Sequence, residues 1–218
     1  MIMKMKLILT LFIAVQLLIA NAQDSTKITI PNFQDKYSEY VTKLEAGDTD
    51  IDYQDFRFSF IESEQFILAT KQIVLQNQLK TEMYQEYHNE NYQEAMKLAK
   101  QILSFDYTSL DAHKILRHCY QDQDDKDNFE KYLNIQLGLF QSIITSGDGR
   151  SCATGWKVIQ VSEEYFVLHI LKANKEKQSL VTEGGLCDQL DVVMEDGTKR
   201  TFYFDVSKVF EGYKKLKM

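Results

Sequence analysis

The chain has 218 residues, with 25 basic against 32 acidic side chains and a formal net charge of −7. No cluster of Lys or Arg is available to neutralise phosphates, which argues against nucleic acid as a partner. A single proline and the absence of a Ser/Gly-rich tract exclude long flexible linkers, and the length suits one sizeable core or two small ones.

Residues 1–22 read as a secretory signal peptide. Lys4 and Lys6 supply the charged start, Leu7 to Ile19 the apolar core, and Ala20-Asn21-Ala22 an A-x-A cleavage site that puts the mature start at Gln23. The apolar run is short for a membrane span and has no stop-transfer flank. No Cys stands at the cleavage site, so a bacterial lipoprotein anchor is not expected. The expected location is periplasmic or secreted, with no membrane span left after cleavage.

Residues 23–145 form a helical, repeat-like region. Ile28-Thr29-Ile30 is a short extended run before Pro31. Tyr37, Tyr40, Val41 and Leu44 have helical spacing, and Ala46-Gly47 ends that helix in the manner of a left-handed cap. Asp48-Thr49-Asp50-Ile51-Asp52 places Asp at positions 1, 3 and 5 of a calcium loop, but Tyr53 replaces the required Gly and Ser59 the bidentate Glu. The better reading makes Asp52 an N-cap, with Asp55 in the first turn, of a helix that buries Phe56 and Phe60. From about Glu64 to His88 a long helical region follows, with Phe66, Ile73, Leu79, Met83 and Tyr87 apolar and a break expected near Asn77.

The centre of the chain carries the cleanest periodicity. Tyr92, Ala95, Met96, Ala99, Ile102 and Leu103 share one helical face, with Asn91 as the expected N-cap. Ala112, Ile115, Leu116 and Cys119 form a second stripe. Phe129, Tyr132, Leu133, Leu137, Phe140, Ile143 and Ile144 form a third. Ala95 and Phe129 lie 34 residues apart, the period of a tetratricopeptide repeat, which the segment from Asn91 to Met96 resembles. Tyr120 and Asp124 fall where the next repeat would place its tyrosine and turn glycine. The departures are the missing turn glycines, Tyr107 at a usual Pro, and Phe129 at a usual Ala. An ordinary helical bundle with a coincidental period is the alternative.

Residues 146–218 change to a small α+β pattern. Ser146-Gly147-Asp148-Gly149 ends the last helix. It is not a dinucleotide fingerprint, because it follows a helix and lacks the third glycine. Trp156 to Val161 is β-rich. Ser162-Glu163-Glu164-Tyr165 reads as an N-cap and acidic first turn, opening a short helix with Phe166, Leu168, His169, Ile170 and Leu171. Gln178–Thr182, Leu190–Met194 and Thr201–Val206 are strand candidates, and Asp196-Gly197 is a hairpin signal. Phe202, Phe204 and Val206 share one face. From Phe210 the tail is helical or frayed, and its Lys214-Lys215-x-Lys217 end reads as a solvated terminus.

No catalytic residue, metal site or cofactor motif emerges. His113 and His118 are five apart and do not share a helical face as a zinc pair would; His88 and His169 are isolated, so structural roles are expected for all four. A Cys152–His169 nucleophile pair has no pattern to support it. The ligand candidates are Ser146, Asp148 and Arg150 at the glycine turn. Cys152 and Cys187 flank the strand region and are the candidate disulfide, which would close a loop of about 36 residues and contribute roughly 4 kcal/mol in the chain-entropy treatment; three free thiols is the alternative. Cys119 reads as a small buried hydrophobe.

Several segments together carry a resemblance: Ser146-Gly147-Asp148-Gly149, Ala153-Thr154-Gly155-Trp156-Lys157-Val158-Ile159, Val161-Ser162-Glu163-Glu164-Tyr165 and Tyr203-Phe204-Asp205-Val206-Ser207, with Ala46-Gly47-Asp48-Thr49 and Asp55-Phe56-Arg57 upstream. They resemble a family of exported Bacteroidota proteins described only as a domain of unknown function. The resemblance implies an envelope or secreted location and no activity. The expected fold is α+β: N-terminal helical hairpins packed with a small C-terminal antiparallel sheet and one helix, as one unit. The expected function is a non-enzymatic interaction module with an envelope or secreted protein partner. The alternative is a hydrolase-like or small-ligand-binding protein with its site near Ser146–Arg150.

Overall fold

The structure, a computed structural model, describes residues 27–216. The expected signal peptide, its cleavage site and Lys217 lie outside the described residues. Helix α1 (Lys36–Glu45) opens on Asp35, whose side chain accepts from the Ser38 N–H, and ends at Gly47 with φ +90°. That left-handed residue lets Gly47 and Asp48 donate back to the Leu44 and Lys43 carbonyls. Helix α2 (Tyr53–Glu62) is capped by Asp52 accepting from Asp55 N–H, so the acidic loop is a helix start.

The break in the next helical region comes at Gln72, not near Asn77. Helix α3 spans Glu64–Lys71 and α4 spans Ile73–His88. Gln76 explains the position: its amide donates to the Ala69 carbonyl (2.6 Å), taking the partner that a continuous helix would have supplied. Helices α5 (Tyr92–Phe105), α6 (Leu110–Asp122) and α7 (Lys126–Ile144) follow, and α4–α5 and α6–α7 pack as successive hairpins. Asn91 precedes α5 but makes no capping bond; its amide donates to Glu86 instead. The two hairpin turns are alike. Glu90 (φ 61°) and Asp124 (φ 54°) hold the left-handed position, and each following residue donates to a carbonyl five back, Asn91 to Glu86 and Asp125 to Tyr120.

The stripes of α5 and α6 are buried as their spacing predicts, except for half-buried Tyr92. On α7 the buried face is shifted: Tyr132, Ile135, Leu139 and Ile143 are buried, while Leu137 is exposed. At the junction of α1 and α2 the Tyr37 ring stacks on Phe56 and meets Phe60 at a tilt, and the Tyr37 hydroxyl accepts from Tyr107 N–H.

The C-terminal part contains β1 (Trp156–Lys157), α8 (Val161–Ile170), β2 (Ala173–Val181), β3 (Cys187–Met194), β4 (Lys199–Asp205) and α9 (Ser207–Lys215). The sheet order is β1-β4-β3-β2. The sheet is mixed rather than antiparallel, because β1 pairs parallel to β4, with Trp156 opposite Phe204. Strand β1 lies in the stretch read as β-rich and meets only the last two residues of β4, Phe204 and Asp205, too short a pairing for the sequence to show its direction. Strands β2 and β3 are longer than their hydrophobic cores indicate, and Gly197 (φ 80°) turns β3 into β4. Leu190, Val192 and Phe204 are buried; Phe202 is half-buried, and both phenylalanines pack on the Trp156 ring at 5.4 Å. Helix α8 begins one residue before Ser162, with Gln160 at its cap position and no side-chain cap bond.

A Cys152–Cys187 disulfide joins the turn before β1 to the start of β3. Cys119 is a buried free thiol whose burial pushes its pKa up to about 12, which makes it unreactive at neutral pH.

Candidate functional site

A cleft of about 440 Å³ opens between α3, α4, the α5–α6 loop, the start of α8, and α9. Its apolar wall is built by Phe60, Phe66, Ala69 and Ile73 on one side and Ile102, Ile159 and Val209 on the other, with Tyr213 at the mouth. Its polar wall comes from the first turns of α6 and α8 and the loop before α6: Asp106, Thr108, Ser109, Asp111, Gln160, Ser162 and Glu163.

The polar wall is held by a connected set of bonds. Asp106 accepts from the Thr108 N–H (2.9 Å), the Thr108 hydroxyl (2.6 Å) and the Gln160 amide (2.6 Å). Burial pushes its carboxyl up, against those three donors. Glu163 accepts from Arg57 through both oxygens (Nε 2.8 Å, Nη2 2.6 Å) and from Ile159 N–H (2.8 Å). Arg57 also donates to Ser142 Oγ (3.2 Å) and the Lys157 carbonyl (2.9 Å), so this buried guanidinium ties α2, α7, β1 and α8 together. Asp111 at the rim pairs with Lys80 and accepts from the Tyr84 hydroxyl. A cleft whose polar groups already satisfy one another is built to hold a shape.

Glu164, beside Glu163, is fully buried against the β2–β3 hairpin, where its protonated carboxyl faces Asp188. Burial, with Asp188 and Glu163 adding like charge, pushes its carboxyl up to about 8.

A family model described as a domain of unknown function, DUF4919, matches residues 24–215. The chain belongs to the DUF4919 family. Neither curated proteins nor solved structures gave a match to it.

In this DUF4919 domain two of the residues singled out at the glycine turn, Ser146 and Asp148, make hydrogen bonds with their neighbours. The Ser146 hydroxyl donates to the Ile143 carbonyl (2.6 Å) and accepts from Lys157 N–H (2.8 Å). Asp148 accepts from the Thr154 hydroxyl (2.5 Å) and Arg150 N–H (3.0 Å), bonds that hold its carboxyl below the usual range. Gly149 has φ +65° and lies flat against the Trp156 ring, where a Cβ would stand 2.7 Å from the ring carbons. Arg150 is exposed. None of the three candidates lines the cleft. Cys152 is bonded to Cys187, so it offers no thiol to His169, which instead lies 3.2 Å from the Lys114 ammonium.

His113 is buried, and burial drives its pKa down to about 3; its Nε2 donates to the Tyr107 carbonyl (2.8 Å) as a neutral ring. Arg117 donates to His118 Nε2 (2.8 Å). Among the described residues no group of three or more His, Cys, Asp or Glu is placed to hold a metal ion.

The sequence reading missed the cleft and the Arg57–Glu163 pair at its floor. Both residues sit inside segments that carry the family resemblance, and Arg57 stands between Phe56 and Phe60 on a helix expected to face inward. A charge on an inward turn was the available signal.

Proposed function

We propose that this DUF4919 domain is an exported, non-enzymatic interaction module that holds an apolar segment of an envelope or secreted protein in the cleft. The carrying observation is the cleft's make-up: an apolar wall of aromatic and aliphatic side chains facing a polar wall whose carboxylates are already engaged. An extended segment would place an apolar side chain against Phe60, Phe66 and Ile102. Its backbone carbonyl would meet the first turn of α8, whose N–H groups receive no side-chain cap. Export is supported by the Cys152–Cys187 disulfide, which persists in oxidising compartments, and by the leader-like residues 1–22. Among the described residues, no helix is long and apolar enough to cross a membrane.

The test is in-cell photocrosslinking from Val161, an exposed position on the cleft rim, followed by mass spectrometry. One reproducible envelope partner is expected, lost when Ser162→Trp sets an indole over the cleft. A pattern indistinguishable from background, or one unchanged by Ser162→Trp, overturns the proposal.

A further inference from the structure

We propose that the corner joining α3 to α4, with the outer face of α9, docks on an anionic lipid surface. Large apolar side chains are exposed at a few places on the molecule, and they concentrate here. Leu68 lies on α3, Ile73, Val74 and Leu75 follow one another at the start of α4, and Phe210 and Tyr213 lie on α9. Single exposed apolar residues are ordinary, whereas a contiguous set marks a contact surface. The two segments are joined in space: Ile73 and Tyr213 meet at the mouth of one cleft, and Gly212 lets α9 approach the Phe66 ring of α3.

Charge and shape select the occupant. The chain carries a net charge of −7, yet no acidic residue occurs from 65 to 81, a stretch that holds Lys71 and Lys80. Helix α9 adds Lys214 and Lys215, and its Glu211 is held by Lys208. Lys80 is engaged with Asp111 and Lys215 donates to the Ile61 carbonyl (3.3 Å), leaving Lys71 and Lys214 as the cations beside the patch. The corner projects: Val74 is 69% exposed and Ile73 52%. A projecting apolar tip with lysines beside it and a tyrosine at its edge matches the headgroup–acyl boundary of an anionic bilayer. A protein partner would need a matching concavity, and the charge bias would go unused.

The patch shares Ile73 and Tyr213 with the mouth of the cleft, and the experiment separates the two occupants. The leader-free chain from Gln23 is sedimented with vesicles of phosphatidylcholine alone and of phosphatidylcholine with phosphatidylglycerol. Binding to the anionic vesicles only is expected, weakened by salt, at least tenfold weaker in Val74→Asp, and about fivefold weaker for each of Lys71→Glu and Lys214→Glu. Ser162→Trp should bind vesicles as the unmodified chain does. Circular dichroism checks that each variant is folded. No binding to either vesicle, equal binding to both, or full binding by folded Val74→Asp overturns the proposal. A concentration-dependent dimer that Val74→Asp dissolves also overturns it, because the patch would then join two copies of this chain.

Discussion

The hairpins α4 to α7 and the seam between them and the C-terminal part treat buried polarity in opposite ways. In the hairpins, His113 is kept neutral, Cys119 is kept as a thiol, and apolar stripes interlock around them. At the seam, Arg57 and Glu163 are buried as a hydrogen-bonded ion pair, and Glu164 beside them is buried facing Asp188. Apolar interlocking tolerates small changes of volume, whereas a buried ion pair depends on both members being present. The two regions should therefore fail differently.

The largest expected effect is at the seam. Arg57→Ala strands the Glu163 carboxylate and should cost about 3–5 kcal/mol, read by urea denaturation. Arg57→Met with Glu163→Met removes both charges and should recover most of that loss; equal loss in the double variant would mean that packing, not charge, holds the seam. Next comes the disulfide. Replacing Cys152 and Cys187 by Ala should cost about 2–4 kcal/mol. Hydrogen exchange should show the loss in β3 and the turn before β1, leaving the α6–α7 hairpin protected.

Glu164 gives the seam a pH dependence opposite in sign to that of the hairpins, where buried His113, about 3 folded against 6.5 unfolded, costs stability as pH falls below 6.5. The Glu164 carboxyl rises from 4.5 unfolded to about 8 folded, so the native state holds a proton that the unfolded chain releases. That contribution favours folding fully below pH 4.5, declines as pH rises, and is gone above about 8. Glu164→Gln keeps the neutral shape and should flatten this decline, with a gain of more than ~1 kcal/mol at pH 8. Thermal melts across that range check it. The smallest effect belongs to the hairpins: Glu90→Gly and Asp124→Gly relieve left-handed backbone and should each stabilise by roughly 0.5–1 kcal/mol.

Much of the hairpin region was readable because a 3.6-residue period repeats over several turns, as in the Ala95 to Leu103 stripe, and Asp52 announced its helix by chemistry alone. The third stripe was right at Tyr132 and Ile143 but took Leu137 in place of Ile135 and Leu139, which fit the period as well, and packing against α2 and α6 decides between them. Strand β1 falls inside the β-rich stretch from Trp156 to Val161, but two residues carry no sign of their parallel pairing. The cleft was hidden for a different reason. Its walls come from elements far apart in the chain: Gln160 reaches Asp106 across 54 residues, and Glu163 reaches Arg57 across 106. No local pattern encodes such a meeting.

The four-way junction at Arg57 also has a consequence in time. A chain that emerges from its N-terminus presents the guanidinium first, while Ser142, Lys157 and Glu163 are still to follow by 85, 100 and 106 residues. The hairpins, built from neighbouring segments, can close during that interval. The junction at the arginine can close only once the last third of the chain has been made.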